Sequence, residues 1–356
     1  MKIALDASYT LTREPSGVAS YSDSIIRALT QSAPDHSFLL CYRANRYLRG
    51  LRAPLPAANC SRALLEGPAV FFYRSGVALF HGLNQRLPST RFRRAVTTFH
   101  DLFVMSGDYS THEFRARFTA LAKDAALRSD HIIAISRYTA DQLVQRLNYP
   151  RERITVIHHG VHPVPPVSEA DLALFRKREQ LDAPFVLHVG AIQTRKNIER
   201  LIAAFEQLPP PALLVLAGAE GYGCEGILRR IQTSPARERI RHFGYVDAAM
   251  LARLYRTASV LAFPSLEEGF GLPVLEAMSA GLPVVTSHRS ALPEVAGGAA
   301  LLVDPEDSMA IAGAIGRILE DPGLRRQLIE AGLARVGQFS WTKAAAETLK
   351  VYDKLA

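Results

Sequence analysis

Short apolar runs without strict alternation recur along the whole chain, and helical patterns separate them. The first half carries "KIALDAS", "FLLCY", "VALFHG", "AVTTFHD", "HIIAISR" and "ITVIHHG". The second half carries "FVLHVGA", "ALLVLAG", "IRHFGYV", "SVLAFPS", "LPVVTS" and "AALLVD". A strand covered on both faces reads as a continuous apolar run, because neither face meets water. With segments such as "VASYSDSIIRALTQSA" and "NIERLIAAFEQL" in between, the order is strand–helix–strand, which builds parallel sheets flanked by helices. At "HHGVHPVPPVSEAD" the order stops, since Pro163, Pro165 and Pro166 cannot lie inside a helix or a central strand. It then restarts. The expected fold class is α/β, with two doubly wound Rossmann-like domains facing across a cleft. Residues 1–163 form the first and residues 164–338 the second, and a helix over residues 339–356 packs back on the first. A chain of 356 residues, 48% hydrophobic, is long enough for two such cores.

Charge divides unevenly between these halves. Residues 1–165 hold 21 Lys and Arg against 12 Asp and Glu, a net of +9, whereas the remainder is close to neutral. A one-sided excess of this kind suits an acidic partner such as a phosphate-bearing substrate, an anionic lipid surface or a nucleic acid. In "YRANRYLRGLR", Arg43, Arg46, Arg49 and Arg52 recur three apart among Tyr47, Leu48 and Leu51. As a helix this is a basic stripe beside apolar residues, suited to an anionic membrane surface, with Arg91, Arg93 and Arg94 adding to it. No run of 18 apolar residues occurs, and "MKIALDAS" reads as a first strand and not a leader. Cys41, Cys60 and Cys224 have neither metal nor redox spacing, which suits a reducing cytoplasm, with the protein peripheral on the inner face of a membrane.

In parallel sheets, ligands bind beyond the carboxyl ends of the strands. The richest of these ends is "PSLEEGFGLPVLEAMSAGLPVVTS", residues 264–287. Pro273 suits the first position of a helix and Gly281 its end. The amides of Gly271, Leu272 and Val274 at that helix start are an anion site, and Glu276 falls in its first turn. Glu268 comes from the other side of the Gly-Phe-Gly loop. A carboxylate accepts two hydrogen bonds and therefore suits a vicinal diol. The set fits a nucleotide-sugar: diphosphate on the amides, ribose on Glu276, sugar hydroxyls on Glu268. Arg195 and Lys196, after "FVLHVGA", supply cations for the diphosphate.

This stretch resembles the paired-glutamate signature of the GT-B-fold retaining glycosyltransferases of family 4 (group 1), and the likeness extends through most of the chain to "FSW" at 339–341. The resemblance implies that Lys196 contacts the donor β-phosphate, although Ala191 replaces the arginine that often follows the strand glycine. It implies that His100, in "TTFHDLF", contacts the donor sugar near the reacting carbon, with Asp101 beside it as an orienting partner or a turn residue. Val246 matches a position whose main chain contacts the base, and Phe270 lies within the signature loop. Gly17, in "PSGVASY", matches a glycine turn that approaches phosphates or acceptor, and His81 matches a less specific "HG" turn.

The expected reaction is transfer of a hexose from a nucleoside-diphosphate sugar to a hydroxyl of a glycan, lipid-linked or polysaccharide-precursor acceptor, with retention. His100 and Glu268 are the catalytic candidates. Arg195, Lys196, Val246, Phe270, Gly271, Leu272 and Glu276 bind the donor. "SGVASYSDSIIRAL" resembles bacterial mannosyltransferases of polysaccharide assembly, which favours GDP-mannose. No cofactor or metal is expected: the histidines are scattered, and His158 and His159 fall on one strand, pointing to opposite faces. Glycoside hydrolysis by the two carboxylates leaves Arg195 and Lys196 unexplained. A dehydrogenase lacks its glycine spacing here. The alternative from another class is a non-catalytic protein on the same scaffold that binds nucleic acid or membrane; no recognised nucleic-acid module is present, so nucleic acid is not an expected partner.

Overall fold

Along the first strand of the computed structural model, Ile3 and Leu5 enter one apolar cluster and Ala4 another, all fully buried. Successive side chains of a strand point to opposite faces, so both faces of this sheet are covered. The structure describes residues 1–11, 17–68 and 70–356. Seven strands form the first sheet: β1 (Lys2–Asp6), β2 (Ser37–Tyr42), β3 (Cys60–Leu64), β4 (Leu79–Gly82), β5 (Ala95–Phe99), β6 (His131–Ala134) and β7 (Ile154–Val156). Their order is β3-β2-β1-β4-β5-β6-β7, and every pairing is parallel. Six form the second: β8 (Phe185–Val189), β9 (Leu213–Ala217), β10 (Ile240–Gly244), β11 (Val260–Phe263), β12 (Val284–Ser287) and β13 (Leu301–Val303). Their order is β10-β9-β8-β11-β12-β13, again parallel throughout.

The strand order reverses between β1 and β4 in one sheet and between β8 and β11 in the other. The chain divides into two compact units. The first comprises Met1–Ser106, His112–Gly160 and Phe339–Ala356, and the second Gly107–Thr111 and Val161–Gln338. The break in the chain thus falls at 160/161, three residues before the proline cluster suggests, and a five-residue strip near residue 109 belongs with the second unit. Twelve of the thirteen strands coincide with the apolar runs. The exception is β3, the edge strand, whose sequence "CSRAL" is only partly buried and carries a serine and an arginine.

Two helices that cover the same face of the first sheet are far apart in sequence, Gly17–Ser32 and Trp341–Leu355. Ser340 caps the latter by accepting from the Lys343 amide. Tyr352, fully buried on that helix, has its hydroxyl 2.6 Å from His81 Nδ1. His81 Nε2 meets the Thr98 hydroxyl at 2.9 Å, so both ring nitrogens are occupied inside the core. His81 is therefore a satisfied core histidine and not part of a binding turn. His158 and His159 follow β7 and do not lie on it, because the strand ends at Val156. His159 packs against both Tyr21 and Trp341 in a three-ring cluster.

Candidate functional site

The second unit places its polar side chains where the topology calls for a ligand. The loops after β8 and β11, the two strands flanking the order reversal, leave the sheet at its carboxyl edge, where parallel sheets bind ligands. After β8 the backbone passes through Gly190, at φ +141°, and reaches a 3-10 turn, Thr194–Lys196. A Cβ at Gly190 would meet Lys196 Cε at 3.4 Å, so the bare glycine leaves a track for the lysine stem. Asn197 then adopts the left-handed conformation, and its amide donates to the carbonyls of Pro264 and Pro305, at 3.0 and 2.6 Å. That side chain ties the cationic turn to the loop after β11. Sequence reasoning passed over it; its only signal was an asparagine immediately before an apolar helical pattern.

Arg195, Lys196 and Glu268 meet at this edge, each less than a tenth exposed. Lys196 Nζ lies 2.6 Å from Glu268 Oε1, and Arg195 Nη1 lies 3.0 Å from Oε2. The same guanidinium donates to the Glu267 carbonyl, and Lys196 Nζ sits 4.7 Å from the centre of the Phe263 ring. Burial alone would push the Glu268 carboxyl up, but the two adjacent cations outweigh it and hold the group at about 2. The Glu268 amide donates to the Ser290 hydroxyl at 3.0 Å, which fixes the backbone behind the carboxylate. The sequence suggested separate tasks for the glutamate and the cations. In the structure they form one ionic cluster, because β8 and β11 are neighbours.

Beneath the cluster, His188 on β8 is fully buried and stacks on Phe263. Its Nδ1–H donates to the Ala262 carbonyl at 3.0 Å, and burial lowers its pKa to about 4, so it is neutral.

The helix after the loop runs Leu272–Ser279 and starts from Gly271, whose φ is +107°. Pro273 is therefore the second helical residue, not the first, and Glu276 stands in the second turn. The Val274 amide bonds to the Gly271 carbonyl at 3.0 Å, which tightens the first turn and removes that amide from the expected anion site. At the other end, Gly281 and Leu282 donate to the carbonyls of Met278 and Ala277, the paired bonds of a Schellman stop. Phe270 is buried, and Leu272 is half-buried at the helix start.

Glu276 accepts from the Tyr255 hydroxyl at 2.8 Å through Oε2. Burial raises its carboxyl above the usual range, and the tyrosine bond partly offsets this. Val246 is half-buried in the loop after the edge strand β10, just before the helix Ala248–Thr257 that carries Tyr255.

Two candidates lie in the first unit. His100 follows β5 and is 5% exposed; its Nε2–H donates to the Leu83 carbonyl at 2.9 Å, leaving Nδ1 as the acceptor. Burial lowers its pKa to about 4, against a smaller opposing effect of that bond. Gln85 steadies this turn, accepting from the His100 amide and donating to the Asp101 carbonyl. Gly17 is exposed at the first position of its helix, with nothing among the described residues within 4 Å of a Cβ built there. The Pro15 and Ser16 part of its turn lies outside the described residues.

The basic stripe is a helix, Ala44–Arg52, but part of it faces inward. Arg43 pairs with Asp6 at 3.1 Å and Glu66 at 3.3 Å, and Arg46 donates to the Ser8 carbonyl at 2.6 Å. Arg49 reaches the Leu11 carbonyl at 3.4 Å, while Leu48 and Leu51 are 73% and 46% exposed. Arg94 is paired with Asp130. Among the described residues, no helix is long and apolar enough to cross a membrane.

Comparison with known proteins bears on the family and the fold. Residues 171–335 match the model of the group 1 glycosyl transferases, and residues 16–164 match that of glycosyltransferase family 4. The O-antigen chain mannosyltransferase B of Escherichia coli is 34% identical over 284 residues, covering 78% of this chain and 74% of that protein. A D-inositol 3-phosphate glycosyltransferase of Xylanimonas cellulosilytica is 35% identical over 244 residues, 63% of this chain and 57% of its own. Among solved structures, sucrose-phosphate synthase from Thermosynechococcus elongatus superposes with a TM-score of 0.79 at 26% identity, over 100% of this chain and 99% of the other. HepE from Anabaena, solved with UDP and glucose, shares the fold with a TM-score of 0.75 at 19% identity, over 99% and 100% of the two chains. The two parallel-sheet domains, the family models and the relatives converge: this chain belongs to the group 1, family 4 glycosyltransferases of GT-B fold.

Proposed function

We propose that this glycosyltransferase moves mannose from GDP-mannose to a hydroxyl of a glycan, lipid-linked or polysaccharide-precursor acceptor, with retention at the anomeric carbon. The observation that carries the reading is the buried Arg195–Lys196–Glu268 cluster at the strand-order reversal of the second unit. The leaving diphosphate gains negative charge as the sugar departs. Arg195 and Lys196, already ordered by Glu268 and shielded from water, stabilise that charge once the diphosphate shares or displaces the carboxylate, together with amides near Gly271 and Leu272. Glu268 takes sugar hydroxyls, Glu276 takes the ribose diol, and the Val246 backbone takes the base. His100, held neutral, acts as a hydrogen-bond acceptor for a substrate hydroxyl and not as a cation. The reaction needs no divalent metal in this reading, because two side-chain cations serve the diphosphate. The similarity to a mannosyltransferase over three quarters of the chain supports mannose as the sugar.

The test is a thermal-shift panel of GDP, UDP and ADP with their common sugars, followed by transfer assays. A ligand at about 100 times its Kd adds roughly 2.7 kcal/mol, a shift of a few degrees. A response to GDP and GDP-mannose, lost in Lys196→Ala and Glu276→Ala, supports the assignment. A response to UDP alone overturns the GDP-mannose part.

We also propose that the first unit binds the acceptor and rests on the anionic inner face of a membrane. Arg49, Arg52, Leu48 and Leu51 are exposed along one short helix, the combination such a surface attracts. Co-sedimentation with phosphatidylglycerol vesicles should be lost in Arg49→Glu/Arg52→Glu. Equal sedimentation with neutral vesicles would remove the proposal.

A further inference from the structure

Tyr255 is 2% exposed near the end of the Ala248–Thr257 helix, and no motif marks it. A phenol buried this deeply needs a hydrogen-bond partner, and here that partner is a carboxylate on a different helix. Its hydroxyl donates to Glu276 Oε2 at 2.8 Å. Burial, with the neighbouring carboxylate adding to it, keeps the phenol well above its ordinary pKa, so the tyrosine remains a donor. One residue on, Arg256 donates to the Ala280 carbonyl at the end of the glutamate's own helix, and to the Val164 carbonyl. The two helices are thus joined at two points, and only the first ends on a functional group.

We propose that Tyr255 is the positioning residue of the nucleoside-binding glutamate: by holding Oε2 it presents Oε1 to the ribose diol. The proposal rests on the reading of Glu276 given above. A carboxylate on a free side chain samples several rotamers, and each must be given up when the diol binds. A carboxylate already held through one oxygen has lost them beforehand, so the diol meets a fixed acceptor. The same helix begins two residues after Val246, at the proposed base-binding loop. Base and ribose contacts are therefore set by one rigid element.

The experiment compares wild type, Tyr255→Phe and Glu276→Ala as full chains. Phenylalanine keeps the buried ring and removes only the hydroxyl, and a thermal melt checks its fold. Binding is measured for whichever of GDP, UDP and ADP the wild type binds most tightly, and for the 2′,3′-dideoxy analogue of that nucleotide. Tyr255→Phe should weaken the ribonucleotide about tenfold, the scale of one hydrogen bond to a charged group, and leave the dideoxy analogue unchanged. In transfer assays it should raise the donor KM and spare kcat. Equal weakening of both nucleotides would overturn the proposal, because a role in packing alone does not distinguish the two. Glu276→Ala separates the two ideas. If it abolishes the preference for the ribonucleotide while Tyr255→Phe retains it, the positioning role fails alone. If Glu276→Ala itself retains the preference, the ribose reading of Glu276 fails.

Discussion

Lys196 Nζ and Glu268 Oε1 are 2.6 Å apart, and both residues are more than nine-tenths buried. In the proposed reaction the donor diphosphate meets a lysine that already has a carboxylate, so it must share or displace Glu268. The lysine is held in place by that carboxylate and by the Phe263 ring. Replacing Lys196 by Ala should lower turnover by roughly 10²–10³, the scale of one preorganised electrostatic donor. Steady-state transfer assays check this; undiminished turnover would remove Lys196 from the mechanism.

The same pair sets an acid limit on stability. Glu268 titrates at about 2 in the folded protein, below its ordinary 4.5. A depressed carboxyl contributes its full stabilisation above pH 4.5 and loses it as the pH falls toward 2, because the unfolded chain then binds the proton first. The shift corresponds to something on the order of 3 kcal/mol. Glu268→Gln should therefore be less stable than wild type at pH 7, and denaturation midpoints should converge as the pH drops below 4.5. A gap that stays constant from pH 7 to pH 3 would show that ionisation of Glu268 contributes nothing.

What the sequence disclosed depended on how local each feature was. Strands β8 and β11 were legible because a strand covered on both faces is written as an unbroken apolar run. Strand β3 was not, because an edge strand with Ser61 and Arg62 among its five residues carries too few apolar residues. The paired glutamates, the glycines and the cations were visible as residues at strand ends, yet their partners were not. Lys196 and Glu268 are 72 residues apart and Tyr255 and Glu276 are 21 apart, with whole elements between each pair. Only the sheet order brings them together. The Val274 amide departs from expectation for the opposite reason: a tight first turn is set by one residue's backbone angle, which glycine leaves open.

His100 gives a prediction with its own sign. Its folded pKa, about 4, is below the ordinary 6.5, so its stabilising effect is complete above pH 6.5 and is lost as the pH falls through 4. The imidazole should show no protonation between pH 8 and 5.5 and should remain the Nε2–H tautomer fixed by the Leu83 carbonyl. Nitrogen chemical shifts of the labelled ring report both. A midpoint near 6.5 would mean that this histidine is solvated and can act as a cation after all.

Two glycines named from the sequence should respond to alanine in opposite ways. Gly271 holds φ at +107°, a region that alanine enters only with strain, and a Cβ there would stand 2.6 Å from Leu292 Cδ2. Leu292 can yield at its tip, so the backbone conformation is the larger obstacle, at roughly 1–3 kcal/mol. Because the Leu272–Ser279 helix starts from this residue, relief of that strain would move the helix start, the adjoining loop with Phe270, and Glu276 with them. Gly271→Ala should therefore lower both the melting temperature and the response to nucleotide. Gly17 has no described residue crowding a Cβ and begins the Gly17–Ser32 helix, where alanine has the better intrinsic propensity. Gly17→Ala should leave the melting temperature unchanged or slightly raised. Any loss of transfer in that variant would then report a ligand approaching the backbone at Gly17, whereas full activity would reduce Gly17 to an ordinary helix start.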